Sequence, residues 1–157
     1  MTTHVLNCRN GALTTYDNYN FNSYIDVDAG VVLAAGMDGI YELSVDNDNG
    51  QAIDAHIRTG NHDFDSSAIK SILDAYIGVV GDGEFVLSVI TDNNTTNVYP
   101  VESLAIQGHT IKVNLGKGAR GRYWTVEFKN INGSDFELDG MEFNVQIMTR
   151  RAYASLG

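Results

Sequence analysis

The sequence predicts an all-β protein: an antiparallel β-sandwich, jelly-roll or Ig-like, with an irregular β-rich N-terminal extension. Three observations lead there. The 157 residues hold 16 glycines and 1 proline. Pairs and runs of Gly, Asn and Asp recur at short intervals: Asn10-Gly11, Asp17-Asn18, Asp38-Gly39, Asp46 to Gly50, Asp92-Asn93-Asn94 and Asn132-Gly133. Such residues tolerate positive φ and make tight turns. Between the turns, five segments alternate apolar and polar residues. Successive side chains on a strand point to opposite faces, so each segment has one buried and one wet side, as in antiparallel sheets with a solvated face.

Taken in chain order, Tyr41-Glu42-Leu43-Ser44-Val45 alternates first, preceded by Val31-Val32-Leu33-Ala34-Ala35, which is apolar on both faces. Ile53, Ala55 and Ile57 then alternate with Asp54, His56 and Arg58. Ile69, Ile72, Leu73, Tyr76 and Ile77 fit a helical stripe, with Asp65 or Ser66 as a possible N-cap, yet Ala75 to Val80 also reads as a strand. A strand is expected at the C-terminal part, with a one-turn helix over residues 66–74 as its rival. Asp82-Gly83 suits a tight hairpin turn leading into Phe85-Val86-Leu87-Ser88-Val89-Ile90, whose apolar character on both faces predicts a central strand. Ile111, Val113 and Leu115 follow, then Trp124, Val126 and Phe128, then Met141, Phe143, Val145 and Ile147, each set separated by polar residues. The regular strands concentrate after residue 52. Residues 1–52 are therefore expected to form an extension packed on a core of residues 53–157, which ends in a short basic tail.

Composition excludes several classes. Hydrophobic residues make up 43% and charged residues 19%, too apolar for disorder and too weakly charged for a coiled coil. The one cysteine, Cys8, excludes a disulfide framework within the chain and every multi-cysteine zinc site. It is expected as a buried or half-buried structural thiol. No apolar run reaches the ~18 residues of a membrane span, and the first residues lack the basic and apolar regions of a secretory signal. Net charge is −10, which disfavours general nucleic-acid binding. That charge is uneven. Residues 1–78 hold 11 acids and 3 bases, whereas residues 79–157 hold 9 acids and 7 bases. Lys112, Lys117, Arg120 and Arg122 sit close together, and Arg150-Arg151 come near the end. An acidic end docking on the basic end of a neighbour is one consequence of such asymmetry.

Catalytic constellations are thin. His4, His56, His62 and His109 make no H-x-x-x-H pair, and no G-x-S-x-G elbow is present. His62-Asp63-Phe64-Asp65 reads as a turn before a strand. Gly116-Lys117-Gly118-Ala119-Arg120-Gly121-Arg122 lacks the spacing of a phosphate-cradling loop. It reads as a basic loop joining two strands, able to dock on acidic groups of another protein because guanidinium and carboxylate pair in a fixed plane. Asp46-Asn47-Asp48-Asn49-Gly50 alternates oxygen ligands, but its glycine comes one place early for a calcium loop and no glutamate follows. No cofactor is expected, with calcium at Asp46 and Asp48 as the open alternative. Tyr16, Tyr19, Phe21 and Tyr24 crowd the N-terminal part, where exposed rings can stack on sugars or fill a protein interface.

The run Gly116–Trp124 matches G-[KR]-G-x-R-G-R-Y-[WF]. Asn130–Asp139 matches N-x-x-G-x-D-F-[ED]-L-[DE], and Met141–Arg151 is an alternating strand ending in paired basic residues. With these three signatures the chain resembles, over roughly residues 14–151, a family of small structural proteins in tailed-bacteriophage virions. The resemblance implies a non-enzymatic virion protein in the tail or head–tail region, made in the bacterial cytoplasm. It implies symmetric multi-copy assembly with itself and with other virion proteins. Lys117, Arg120, Arg122, Arg150 and Arg151 are then the expected interface residues. The alternative is a carbohydrate- or receptor-binding module that contacts the host surface through Tyr16, Tyr19 and Tyr24.

Overall fold

The computed structural model describes residues 2–17, 19–28, 30–43, 47–48, 50–116 and 118–148, with the backbone alone for 28, 48 and 104–107. The chain divides into two units, Met1–Asp46 and Asn47–Gly157. Every regular element among the described residues is a β-strand, and every pairing is antiparallel.

The first unit holds two small sheets. Strands β1 (Thr2–Leu6) and β2 (Leu13–Asp17) form a hairpin in which Leu6 faces Leu13. Gly11, at φ +73°, donates to the Asn7 carbonyl and lets the connecting loop close. Strands β3 (Ser23–Asp28), β4 (Val31–Ala35) and β5 (Ile40–Glu42) pair in that order. Direct pairing puts Tyr24, Ala34 and Tyr41 on one face of this sheet. Ala34 is the one buried hydrophobic side chain in the described part of this unit.

The second unit opens with a short ribbon, β6 (Asn47–Asp48) and β7 (Gln51–Ala52), turned at Gly50, whose N–H donates to Asn47 Oδ1 at 2.7 Å. Its main sheet has five strands: β8 (His56–Arg58), β9 (Lys70–Thr91), β10 (Thr96–Asn114), β11 (Trp124–Asn130) and β12 (Glu137–Ile147). β9 is the hub. β10 runs along one side of it. On the other side β12 covers its first half and β11 its second, with β8 outside β11.

The core follows from β9's two-residue period. Ala75, Ile77, Val79, Phe85, Leu87 and Val89 are buried on one face, and Trp124, Val126 and Phe128 stand opposite Thr91, Val89 and Leu87. Each fully buried aliphatic or aromatic side chain contributes about 1.5–3 kcal/mol. Phe85 stacks on Phe128 with centroids 5.3 Å apart, and the Phe136 edge meets both rings. The register slips at Leu73, where Asp74 faces Asn144 but Ile72 faces Val145. That slip turns Ile72 onto the same buried face as Ala75.

A straight strand of 22 residues would be roughly 70 Å long at ~3.3 Å per residue. β9 is not straight, because Gly121 meets both of its ends. Lys70 N–H donates to Gly121 O at 2.9 Å and Gly121 N–H returns to Lys70 O at 3.1 Å. A β-carbon built on Gly121 would lie 3.0 Å from Thr91 Cβ. The sheet therefore folds back on itself, with both halves of β9 feeding one core. The fold-back centres on Gly81 and Gly83, both at φ +150°. At Gly81 a β-carbon would lie 2.5 Å from the Asp135 carbonyl oxygen, and at Gly83 2.3 Å from Ser134 Oγ, so the 134–136 segment crosses where only glycine leaves room. The buried Ser103 hydroxyl donates to Gly81 O at 2.7 Å and fixes the bend.

Three expectations need correction, and of the two readings of residues 66–74 the strand is the one that forms. Asp82-Gly83 makes no hairpin, since β9 continues through it; the turn comes at residues 92–95, where Asn94 takes φ +55°. No helical turn forms over 66–74, because from Lys70 onward the backbone pairs with β12 and β10. Ile53 and Ile57 are exposed, for β8 is a three-residue edge strand. Cys8 is exposed, in the loop after β1. The central role of Phe85–Ile90, the alternation of β11 and that of Met141, Phe143 and Val145 in β12 are as the sequence reads, whereas Ile147 at the end of β12 is exposed.

Pro100, the chain's single proline, sits in β10, which among the described strands pairs only with β9 and so forms an edge of the sheet. A proline on an edge strand removes a donor that another strand could use. Among the described residues no helix is long and apolar enough to cross a membrane.

Candidate interface groove and aromatic cluster

The loop from β10 to β11 carries the basic motif. Its inner residues Ala119 and Gly121 are buried, and Arg120 and Arg122 between and beside them are exposed. Three anchors hold this geometry. Gly121 is bonded to Lys70 in both directions, its carbonyl also accepts the Trp124 indole N–H at 3.2 Å, and Arg122 N–H donates to Asp92 Oδ1 at 3.2 Å. Lys70 is itself fully buried, and its ammonium donates to the carbonyls of Ser66 and Ala68. The loop is thus fastened to the start of β9 and to the turn that follows it.

Arg120 and Arg122 border a groove of about 910 Å³. Its remaining lining combines apolar surface from Ile69, Ile147 and Met148 with Ser67, Ala68, Asp92, Asn93 and Gly121. Ile69 and Ile147 are exposed there. The ion pairs among the described residues are Arg58–Glu127, Lys112–Asp74 and Lys129–Asp54, so neither groove arginine has a carboxylate of a described residue within 4.0 Å. Two free guanidinium groups beside isoleucine and methionine suit an acidic, apolar peptide. Among the described residues the lining offers no histidine, no thiol and no pair of carboxylates.

Of the five arginine and lysine residues expected at an interface, Arg120 and Arg122 are brought together. Lys117, Arg150 and Arg151 lie outside the described residues. Lys112, near them in sequence, is drawn away: it pairs with Asp74 at 3.3 Å and lies 5.7 Å from the Tyr76 ring centre. The hydrogen bond and charge of Asp74 raise its pKa above the ordinary lysine value.

The first unit gathers the predicted aromatics. Tyr16 stacks on Tyr19 at 5.2 Å, Tyr19 meets Tyr24 at 6.1 Å, and Phe21 packs edge-on against Tyr19 at 4.8 Å. Tyr41, which sequence reasoning did not place here, joins through Phe21 at 5.5 Å and donates its hydroxyl to Asp38 Oδ2 at 2.8 Å. Burial, then the neighbouring phenols of Tyr24 and Tyr16, raise the Tyr19 pKa above the usual tyrosine value. Tyr16 and Tyr24 remain exposed at the rim.

For calcium, Asp46 and the Asp48 side chain lie outside the described residues, and Asn47 Oδ1 already accepts the Gly50 N–H. No group of three or more His, Cys, Asp or Glu side chains able to hold a metal ion gathers among the described residues. His62-Asp63-Phe64-Asp65 forms a turn in which Asp63 Oδ1 accepts the Asp65 N–H at 3.2 Å, and His62 bridges Trp124.

Compared with protein-family models, curated proteins and solved structures, the chain matches none.

Proposed function

We propose that this protein is a structural component of a tailed-bacteriophage virion, in the tail or head–tail region, assembling in many copies with itself and with other virion proteins. The observation that carries assembly is how little apolar surface the described part of the first unit buries fully. Between Val5 and Ile40, nine large hydrophobic side chains are exposed, against a single buried alanine. Two- and three-stranded sheets with so little buried surface are marginal alone, and contiguous exposed apolar surface marks an interaction site. The virion assignment rests on the three signatures at Gly116–Trp124, Asn130–Asp139 and Met141–Arg151. The folded-back sheet of the second unit supports a β-sandwich, of jelly-roll or Ig-like kind, as a rigid body for such contacts. No catalytic step is part of this function.

Two measurements test it. Light scattering of the purified protein should show a multiple of the chain mass, and imaging of virions carrying a tagged copy should place regular copies on the tail axis. A monomer at every concentration, or virions without the protein, would overturn the proposal.

A second reading is favoured by the clustering of Tyr16, Tyr19 and Tyr24. Exposed tyrosines in a stretch of chain rich in Asp and Asn suit stacking on a sugar ring. Saturable binding on a glycan array, lost in a Tyr16→Ala/Tyr24→Ala variant, would favour host-surface recognition.

A further inference from the structure

We infer that the groove bordered by Arg120 and Arg122 receives strand β3 of a second copy of this chain. Ile25 and Val27 of that copy lie against Ile69 and Ile147, and its Asp26 pairs with the two guanidinium groups. This deepens the assembly reading and rests on it.

The groove presents two chemistries side by side. Its isoleucines and methionine need cover from water, and its arginines lack a carboxylate partner among the described residues. β3 presents the matching pair. Ile25 and Val27 are 61% and 55% exposed, and Asp26 between them is exposed as well. The register of β3 with β4 slips between Asp26 and Asp28, so this exposed segment departs from strict alternation and carries two apolar side chains and a carboxylate within three residues, enough to meet both surfaces. Charge favours the same match. Residues 1–46 hold six acids and one base, Arg9, so the first unit approaches the groove arginines with a complementary field.

Backbone geometry also fits. β3 pairs only with β4, which leaves its other edge unpaired among the described strands. β12, which ends at Ile147 in the groove, pairs with β9 alone among the described strands. Two open edges permit main-chain bonding between copies, as in strand addition to a sheet. The donating surface and the receiving groove are different patches, so the contact is heterologous and passes from copy to copy into a ring or a filament.

The test uses the full chain with Cys8→Ser, which removes the exposed native thiol. A Val27→Cys chain mixed with an Ile69→Cys chain should form a disulfide dimer on mild oxidation, while neither chain alone should. Separately, Arg120→Glu/Arg122→Glu should weaken self-association at least tenfold with an unchanged circular dichroism spectrum. Mixing that variant with an Asp26→Lys chain should restore association. A chain carrying both cysteines that closes a disulfide within one copy would overturn the inference, as would mixed chains that never cross-link or charge reversal that leaves assembly intact. Assembly of the native chain that ignores these variants removes this contact and leaves the assembly reading standing. A native chain that stays monomeric removes both.

Discussion

Gly121 exchanges both backbone hydrogen bonds with Lys70, at 2.9 and 3.1 Å, and in doing so sits against Thr91 at the opposite end of the same strand. One residue without a side chain thus closes the main sheet and holds Arg120 and Arg122 at the groove. A β-carbon there would lie 2.7 Å from Asp92 Oδ1 and 3.0 Å from Thr91 Cβ. Gly121→Ala should cost about 1–3 kcal/mol, the usual range for forcing extra atoms into a packed site. Gly118→Ala, with nothing within 4 Å of the new methyl, should be near neutral. Urea unfolding of the two variants gives the comparison.

The bend at Gly81 and Gly83 predicts an ordered pair of effects. At Gly81 the obstacle is the Asp135 backbone, which cannot step aside; at Gly83 it is the Ser134 side chain. Gly81→Ala should therefore be the more damaging, by about 1 kcal/mol or more on top of the cost of holding alanine at φ +150°. Gly83→Ala should be partly rescued by Ser134→Gly, and Gly81→Ala should not. Thermal unfolding of the single and double variants reads this directly.

Asn130 is a third test. Its buried side chain accepts the Ala55 N–H at 2.8 Å and donates to Ile53 O at 2.9 Å and Ser134 O at 3.1 Å. Those bonds tie the approach to β8 to the turn after β11. Asn130→Ala leaves three backbone groups unpaired and should cost about 2–3 kcal/mol, measured by denaturant titration. Asn130→Asp keeps the acceptor, loses both donors and should be no milder.

Alkaline pH should loosen the first unit. Burial and the phenols of Tyr24 and Tyr16 raise the Tyr19 pKa in the folded chain. The unfolded chain then releases this proton first, so stability is full below the unfolded value and declines as pH rises through the folded one. In the second unit, Tyr99, raised by burial, and Lys112, raised by Asp74, make stability fall with rising pH in the same way. Ultraviolet titration of phenolate should show late-ionising tyrosines, and Tyr19→Phe should remove one of them and flatten the fall in stability.

What the sequence discloses depends on where the deciding contact lies. Trp124, Val126 and Phe128 announce a strand because their alternation is local and their face is the core. Asp82-Gly83 reads as a turn for equally local reasons, yet Ser134 to Phe136, far along the chain, cross there and hold β9 in a bend. The stripe from Ile69 to Ile77 matches a helix until β10 and β12 supply partners on both sides. Ile53 and Ile57 alternate correctly but fall on or beside an edge strand with little to cover them. At the groove, Arg120 and Arg122 stand out as a basic loop. Ile69 and Ile147 do not, because only the fold-back of the sheet brings their chain segments beside that loop.

The hub position of β9 has a consequence for biosynthesis. Its last partner, β12, emerges from the ribosome long after β9 itself, so the nascent chain carries an apolar strand with one flank open until residues 137–147 have been made. Non-local pairing of this kind is slow and leaves time for wrong partners. A chain cut short before Met141 would keep that flank permanently open, and clumping rather than a smaller working protein should be its fate.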